Sequence, residues 1–412
     1  MFLHIPPSLH HKRFSYLWIG LMISIAGSQM QLWALFWHIR VITDQPIALG
    51  GIGLARILPV ILFSLFGGAV ADVANRRAIL FITQSAMALV ALALALLTFQ
   101  GHITLWHIYL LTAIQAVAIS FDSPARQSLV PNLVPAKDLS NAFSLNSIAQ
   151  QTGAIIGPAL TGFVIAYGGL GYTYLLNAIS FVAVLVALLF IGPVAQDIKR
   201  KTQAAISLPA ITEGVRFIAA RPIILSSMIM DFFATFFSSA NTLMPIFTRD
   251  ILHVGVVQYG WLSAAQSIGA VAAALFISQL PVIRRQGPVF LISVLIFGAA
   301  TIVFGASHIF SLAMLGLILM GAADTVSTII RNTIRQLQTP DYIRGRMTSI
   351  NQIFFMGGPQ FGEVEAGVVA QFFGAPLAII SGGIGCILAT IWIMRRWPQL
   401  RTYNGDEPVL DS

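Results

Sequence analysis

Long apolar runs, separated by short polar breaks, recur twelve times along the chain. Each run is long enough for an α-helix to cross the hydrocarbon of a bilayer, which takes roughly 20 residues. The pattern predicts spans at Phe14–Ile39, Leu49–Ala71, Ala78–Phe99, Thr104–Phe121, Phe143–Tyr167, Tyr172–Gly192, Ile223–Phe247, Tyr259–Pro281, Val289–Ala306, Ile309–Ile330, Met347–Phe372 and Pro376–Met394. The longest polar stretch between spans is Pro193–Pro222, which carries Lys199, Arg200 and Lys201 and then an amphipathic piece, Leu208–Ala220. It divides the chain into six spans over 1–192, a linker over 193–222, and six spans with a short tail over 223–412. The linker reads either as a segment lying on the membrane surface or as an unstructured tether.

Composition turns this pattern into a fold class. Hydrophobic residues make up 57% of the chain, charged residues 9%, and the mean hydropathy is +0.83. Soluble domains carry about 25% charged residues. A chain this apolar takes the bilayer as its solvent, so the expectation is an all-α membrane protein of twelve transmembrane helices. The net charge of +8 does not point to nucleic acid. With the N-terminus in the cytoplasm, every one of the 23 Lys and Arg falls on the cytoplasmic side except Arg40, Arg56 and Arg249. That is the positive-inside distribution, and it predicts a multi-pass protein of the cell membrane with both termini cytoplasmic. The opening MFLHIPPSLHHKR has no apolar signal core, so the first span reads as an uncleaved anchor. The lone cysteine, Cys386, reads as packing within the last span.

The two halves repeat. At a constant offset of 205 residues, Arg126 aligns with Arg331, Pro135 with Pro340, Ser144 with Ser349 and Asn146 with Asn351. The same offset aligns Gly153 with Gly358, Gly157 with Gly362, Gly162 with Gly367 and Gly169 with Gly374. Internal repeats in a polytopic membrane protein point to alternating access around a midplane site. The expected architecture is two pseudo-symmetric six-helix bundles.

Three segments carry recognisable chemistry. After span 2 the chain runs through Gly67 and Gly68 to Asp72, Arg76 and Arg77. Such charges at a helix end either latch one bundle to the other or serve as a basic anchor with an incidental acid. Span 5 places Gly153, Gly157, Pro158 and Gly162 in a smooth stripe suited to close helix approach, with a proline that removes a backbone hydrogen bond. The third segment runs from Asp122-Ser123-Pro124-Ala125-Arg126 to Val134-Pro135 and Leu139-Ser140-Asn141-Ala142, with a second-half echo from Arg331 to Gln338-Thr339-Pro340 and Arg344-Gly345-Arg346. Together these segments resemble the major facilitator superfamily of transporters. Span 5 resembles the motif of the superfamily's antiporters. The third segment resembles the branch that exports drugs, macrolides and siderophores, which includes the enterobactin exporters. The loop departs from the family signature at Val73, where an arginine is usual after the acid, and at Asn75, where a glycine is usual. Its second-half counterpart keeps Arg284 and Arg285 without an acid.

Charged groups inside hydrocarbon are costly, and so they mark function. Asp231, Asp324, Glu363, Glu365 and Arg56 fall within the predicted spans and are candidates for proton coupling or gating. Asp231 or Asp324 is a candidate for the coupling proton, since loss of water disfavours a charged carboxylate. Asp324 also stands two turns from Arg331 and reads equally as its helix-end partner. The latch candidates are Asp72, Arg76, Arg77, Asp122, Arg126 and Arg331. The resemblance implies a substrate cavity with polar candidates at Gln29, Trp33, Asn146, Gln150, Asn241, Gln266, Asn351, Gln352 and Gln360, although intramembrane amides also serve as glue between helices. It also implies that spans 2 and 11 face each other, which makes Glu363 or Glu365 the expected partner of Arg56.

No phosphate-binding loop, helical His-Glu metal pair or Gly-x-Ser-x-Gly turn occurs in the chain. The reading is therefore a transporter and not an enzyme, with no cofactor and no metal. Its partners are a small-molecule substrate, protons and the lipid bilayer, with no nucleic acid, and it functions as a monomer. Proton-coupled export of an amphipathic drug or siderophore is the leading function. Uptake of a solute, transport of a lipid such as a lysophospholipid, and a transport-inactive sensor or assembly partner are the alternatives. If Arg56 and Glu363 are charge partners, Arg56→Glu with Glu363→Arg is expected to restore the transport that either single change removes, measured as substrate flux in vesicles.

Overall fold

A computed structural model describes residues 6–194, 196, 208–237, 240–280, 283–340 and 344–405. The described chain is almost entirely helical, with no strand among the described residues. In hydrocarbon a backbone group finds no water, so each segment satisfies its own hydrogen bonds by coiling. The helices are α1 (Lys12–Ile42), α2 (Pro46–Val73), α3 (Arg76–Phe99), α4 (Leu105–Leu129), α5 (Leu139–Tyr167), α6 (Leu170–Ile191), α7 (Leu208–Ala220), α8 (Pro222–Phe237), α9 (Met244–Ile246), α10 (Val256–Ser278), α11 (Gln286–Ala306), α12 (Phe310–Leu337), α13 (Arg344–Phe373), α14 (Ala375–Arg396) and α15 (Gln399–Thr402).

Among the described residues, eleven helical segments are long and apolar enough to cross a membrane. The remaining expected span coincides with α13, whose 30 residues reach about 45 Å at 1.5 Å per residue. That exceeds a hydrocarbon thickness of about 30 Å. Its polar residues, among them Asn351, Gln360, Glu363 and Glu365, lower its hydropathy.

Contacts divide the chain into two compact units. Unit 1 comprises Met1–Asp44, Ala55–Gln203 and Gly255–Ala264, and unit 2 comprises Gln45–Leu54, Ala204–Val254 and Ala265–Ser412. In unit 1, α1 packs on α5 and α6, and α3 packs on α4 and α6. In unit 2, α8 packs on α13 and α14, and α11 packs on α12 and α14. These are the same four pairings with each helix replaced by its counterpart, so the repeat in sequence is a repeat in packing. The turns repeat as well. Gly169 before α6 has φ +88° and Gly374 before α14 has φ +84°, a region that a side chain disfavours.

Small residues bring the helices together. In unit 1, Gly153 and Gly157 of α5 abut α1, where a Cβ on Gly157 would stand 2.7 Å from the carbonyl oxygen of Ala26. Further along α5, Gly162 meets Gly260 of α10. In unit 2, Gly367 of α13 meets Gly50 of α2 in the same manner. Gly162 and Gly367 are the residues that the 205-residue offset aligns. Beside the first of these crossings, the Tyr259 hydroxyl donates to the Trp33 carbonyl at 2.7 Å.

One expected element takes a different form. Span 7, expected as one helix over Ile223–Phe247, ends as α8 at Phe237 and continues through a 3₁₀ turn at Ala240–Leu243, α9 and a π-helical turn at Phe247–Ile251. Pro245 contributes, since without an N–H it cannot close a helical bond to the carbonyl one turn before it. In the linker, Leu208–Ala220 is a helix, and it docks on α8 and α13. Ile218 is buried there with Ile224, Met228 and Met347.

Substituting Gly162→Ala or Gly367→Ala places a methyl against backbone atoms that cannot swing aside, and overpacking of this kind costs about 1–3 kcal/mol. A Cβ on Gly68 meets nothing within 4 Å. Gly68→Ala is therefore expected to hold or raise the thermal unfolding midpoint in detergent, and the other two substitutions to lower it.

Candidate functional site

Unit 2 encloses an ion pair between two helices. Nη1 of Arg331 on α12 lies 2.7 Å from Oδ1 of Asp231 on α8, with the side chains 2% and 0% exposed. Burying two charges costs several kcal/mol per ion before their attraction is counted, so packing alone does not explain the pair. Arg331 also donates through Nη2 to Oγ1 of Thr328 at 2.8 Å, and Nη1 reaches Oγ of Ser327 at 3.5 Å. Oδ1 of Asp324 stands 3.9 Å from Nη1, and the Asp324 side chain is 46% exposed. One turn along α12, Arg335 donates to the side chains of Asn332 and Asn351.

The pair is electrostatically matched and still short of hydrogen bonds. Nε of Arg331 and both carboxylate oxygens of Asp231 are buried and make no well-directed hydrogen bond. The site can therefore take a proton or a polar ligand group without first breaking a full network.

Comparison of the two halves explains why Arg331 reaches across to another helix. Its counterpart Arg126 lies 3.6 Å from Asp122, one turn back on α4. The position equivalent to Asp122 is Ser327. With no acid on its own face one turn away, Arg331 has Asp231 of a neighbouring helix as its nearest anion. Asp122 itself is buried and accepts from Oγ1 of Thr83 at 3.0 Å and Nε2 of Gln84 at 2.7 Å, which ties α4 to α3.

The other expected site residues are distributed as follows. Arg76 donates to the Ser128 carbonyl and to Oδ1 of Asn132, each at 2.9 Å. Arg77 donates to the Leu188 carbonyl at 2.8 Å. Both bind the loop after α2 to unit 1. The side chains of Asp72 and Gln352 lie outside the described residues. Asn75, the departure from the family signature, caps α3 by accepting from the Ala78 N–H at 3.2 Å. Pro158 is buried within α5. Gln29 is half-buried beside Gly157, and the Trp33 ring is buried edge-on to Tyr259. Asn146, Asn241, Gln266, Asn351, Arg56 and Glu365 are half-buried, whereas Gln150 is exposed. Gln360 and Glu363 are buried on α13, where a Cβ on Gly53 of α2 would stand 3.1 Å from Oε2 of Glu363.

A chain of amides went unrecognised in the sequence. Nδ2 of Asn177 donates to Gln31 at 2.7 Å, and Nε2 of Gln31 donates to Gln115 at 2.6 Å. It links α6, α1 and α4. Its only signal in the sequence is an amide within each of three apolar spans, and spacing does not reveal that the three meet.

The family model described as transmembrane secretion effector matches residues 6–407. The enterobactin exporter EntS of Citrobacter koseri is 26% identical over 349 residues, which covers 84% of this chain and 83% of that protein. The EntS of Salmonella choleraesuis is 25% identical over the same shares. Among solved structures, a bacterial homologue of the human lysosomal transporter Spinster, inward-facing and occupied, superposes with a TM-score of 0.73 at 13% identity, covering 95% of this chain and 97% of that one. The nucleoside transporter NupG gives 0.71 at 14% identity, covering 95% and 99%. The chain thus belongs to the transmembrane secretion effector family of the major facilitator superfamily and is a membrane transporter, not an enzyme.

Proposed function

We propose that the protein exports an amphipathic small molecule, a drug or a siderophore, in exchange for protons by alternating access. It acts as a monomer in the cell membrane with both termini in the cytoplasm. The observation that carries this reading is the buried Asp231–Arg331 pair. A proton arriving at Asp231 cancels the charge that holds Arg331. The guanidinium then has Asp324, on its own helix and partly open, as its remaining anion. Arg331 thus exchanges a buried partner for an accessible one as the proton binds, and a binding event becomes a change in the tie between α8 and α12. The resemblance in sequence to exporters of enterobactin supports a siderophore-like or drug-like cargo. The distribution of Lys and Arg supports the orientation.

Inside-out vesicles holding a pH gradient provide the test, challenged with hydrophobic drugs, macrolides and catecholate siderophores. A transported compound is expected to collapse the gradient. Asp231→Asn is expected to abolish that collapse while leaving substrate exchange across the membrane. Loss of both, with the protein intact, would count against coupling at Asp231.

Stability separates coupling from architecture. Removing one partner of a buried pair costs about 3–5 kcal/mol, because the other charge is left uncompensated. Arg331→Met alone is expected to lower the thermal midpoint markedly. Asp231→Leu combined with Arg331→Met is expected to recover the midpoint and to remain inactive in gradient-driven flux.

A further inference from the structure

Within unit 2, α8 and α14 flank a shallow groove of about 380 Å³ lined by Phe233, Phe237, Gly385, Leu388, Ala389 and Trp392. The lining is aromatic, aliphatic or small throughout. Phe233 and Phe237 stack with ring centroids 5.9 Å apart and planes at 15°. Trp392 stands edge-on to Phe233 at 6.4 Å. Gly385 forms the floor, and a Cβ there would stand 2.8 Å from the Phe237 ring. The groove is open on one side, where Leu388 is 59% and Trp392 50% exposed. Side chains this apolar and this exposed on membrane-spanning helices are suited to contact with hydrocarbon.

The α14 wall has a definite register. Residues 385, 388, 389 and 392 follow the three- and four-residue spacing of one helix face. Arg395 and Arg396, three and four residues beyond Trp392, extend the same face by one turn, about 5 Å along the axis. Both arginines are exposed at the end of the helix. Trp397 closes this end, with its ring 5.5 Å from that of Trp392 and the Arg396 guanidinium 5.4 Å above it. An apolar trough, a tryptophan at its mouth and two cations beyond it therefore lie in one line.

We propose that this groove holds one acyl chain of an anionic phospholipid, with the lipid phosphate at Arg395 and Arg396. The apolar lining accepts hydrocarbon and offers a headgroup nothing to bind. The paired guanidiniums select a net negative headgroup over a zwitterionic one. Arginines in a last helical turn also complement the helix dipole, but that role does not require their alignment with an apolar trough.

The full chain is reconstituted in phosphatidylcholine vesicles containing an equal fraction of either phosphatidylglycerol or phosphatidylcholine with brominated acyl chains. Trp392 fluorescence is read as the difference between the wild-type protein and Trp392→Phe. Brominated phosphatidylglycerol is expected to quench that share at least threefold more than brominated phosphatidylcholine. Arg395→Gln with Arg396→Gln is expected to equalise the two lipids, and Arg395→Lys with Arg396→Lys to keep most of the preference. Ala389→Phe, which fills the trough, is expected to reduce quenching by both. Equal quenching of the wild-type share by both lipids would overturn the proposal as ordinary lipid contact. A preference that survives the double glutamine variant would overturn the assignment of the phosphate. Quenching by neither lipid would overturn it in favour of a face covered by a second copy of the chain.

Discussion

Hydrocarbon offers no hydrogen-bonding partner, and each polar group carried into it must find one within the protein. The described backbone meets that demand as helix. The side chains meet it by pairing across helices, as in the Asn177–Gln31–Gln115 chain, the Asp122 contacts with Thr83 and Gln84, and the Asp231–Arg331 pair. Glycine stripes serve the same end from the other direction. By bringing helix axes close, they put short polar side chains within reach of backbone on the next helix. Oγ1 of Thr161, beside Gly157 and Gly162, donates to the Met30 carbonyl at 3.2 Å.

The features that hold each unit together were largely legible in the sequence, because they are local or repeated. Spans follow from the length of apolar runs. The constant offset marked Gly162, Gly169, Gly367 and Gly374, and each proved to have a backbone reason: a crossing without room for a side chain, or a turn with positive φ. Hydropathy ran through span 7 as a single helix, and the irregular turns around Pro245 emerge only in the structure.

The chemistry was less legible, because it depends on contacts between distant residues. Spacing along α12 pointed Arg331 at Asp324, two turns away. Packing brings α8 alongside, and Asp231 lies closer. Arg76 and Arg77 read as latches because they are charged and stand at a helix end. Within unit 1 they are donors to carbonyls at the ends of α4 and α6, a role that depends on where those helices stop. Asn75 read as a departure from a signature, and as a helix cap it has a local purpose of its own.

The difference between Asp122 and Ser327 has a consequence for how each unit transmits a local change. Both units carry an arginine at the matched position, but only the first has an acid one turn back. There the ion pair lies within one helix, and its loss is a local event on that helix. In the second unit the pair joins two helices, so a change of charge on either one is felt by both.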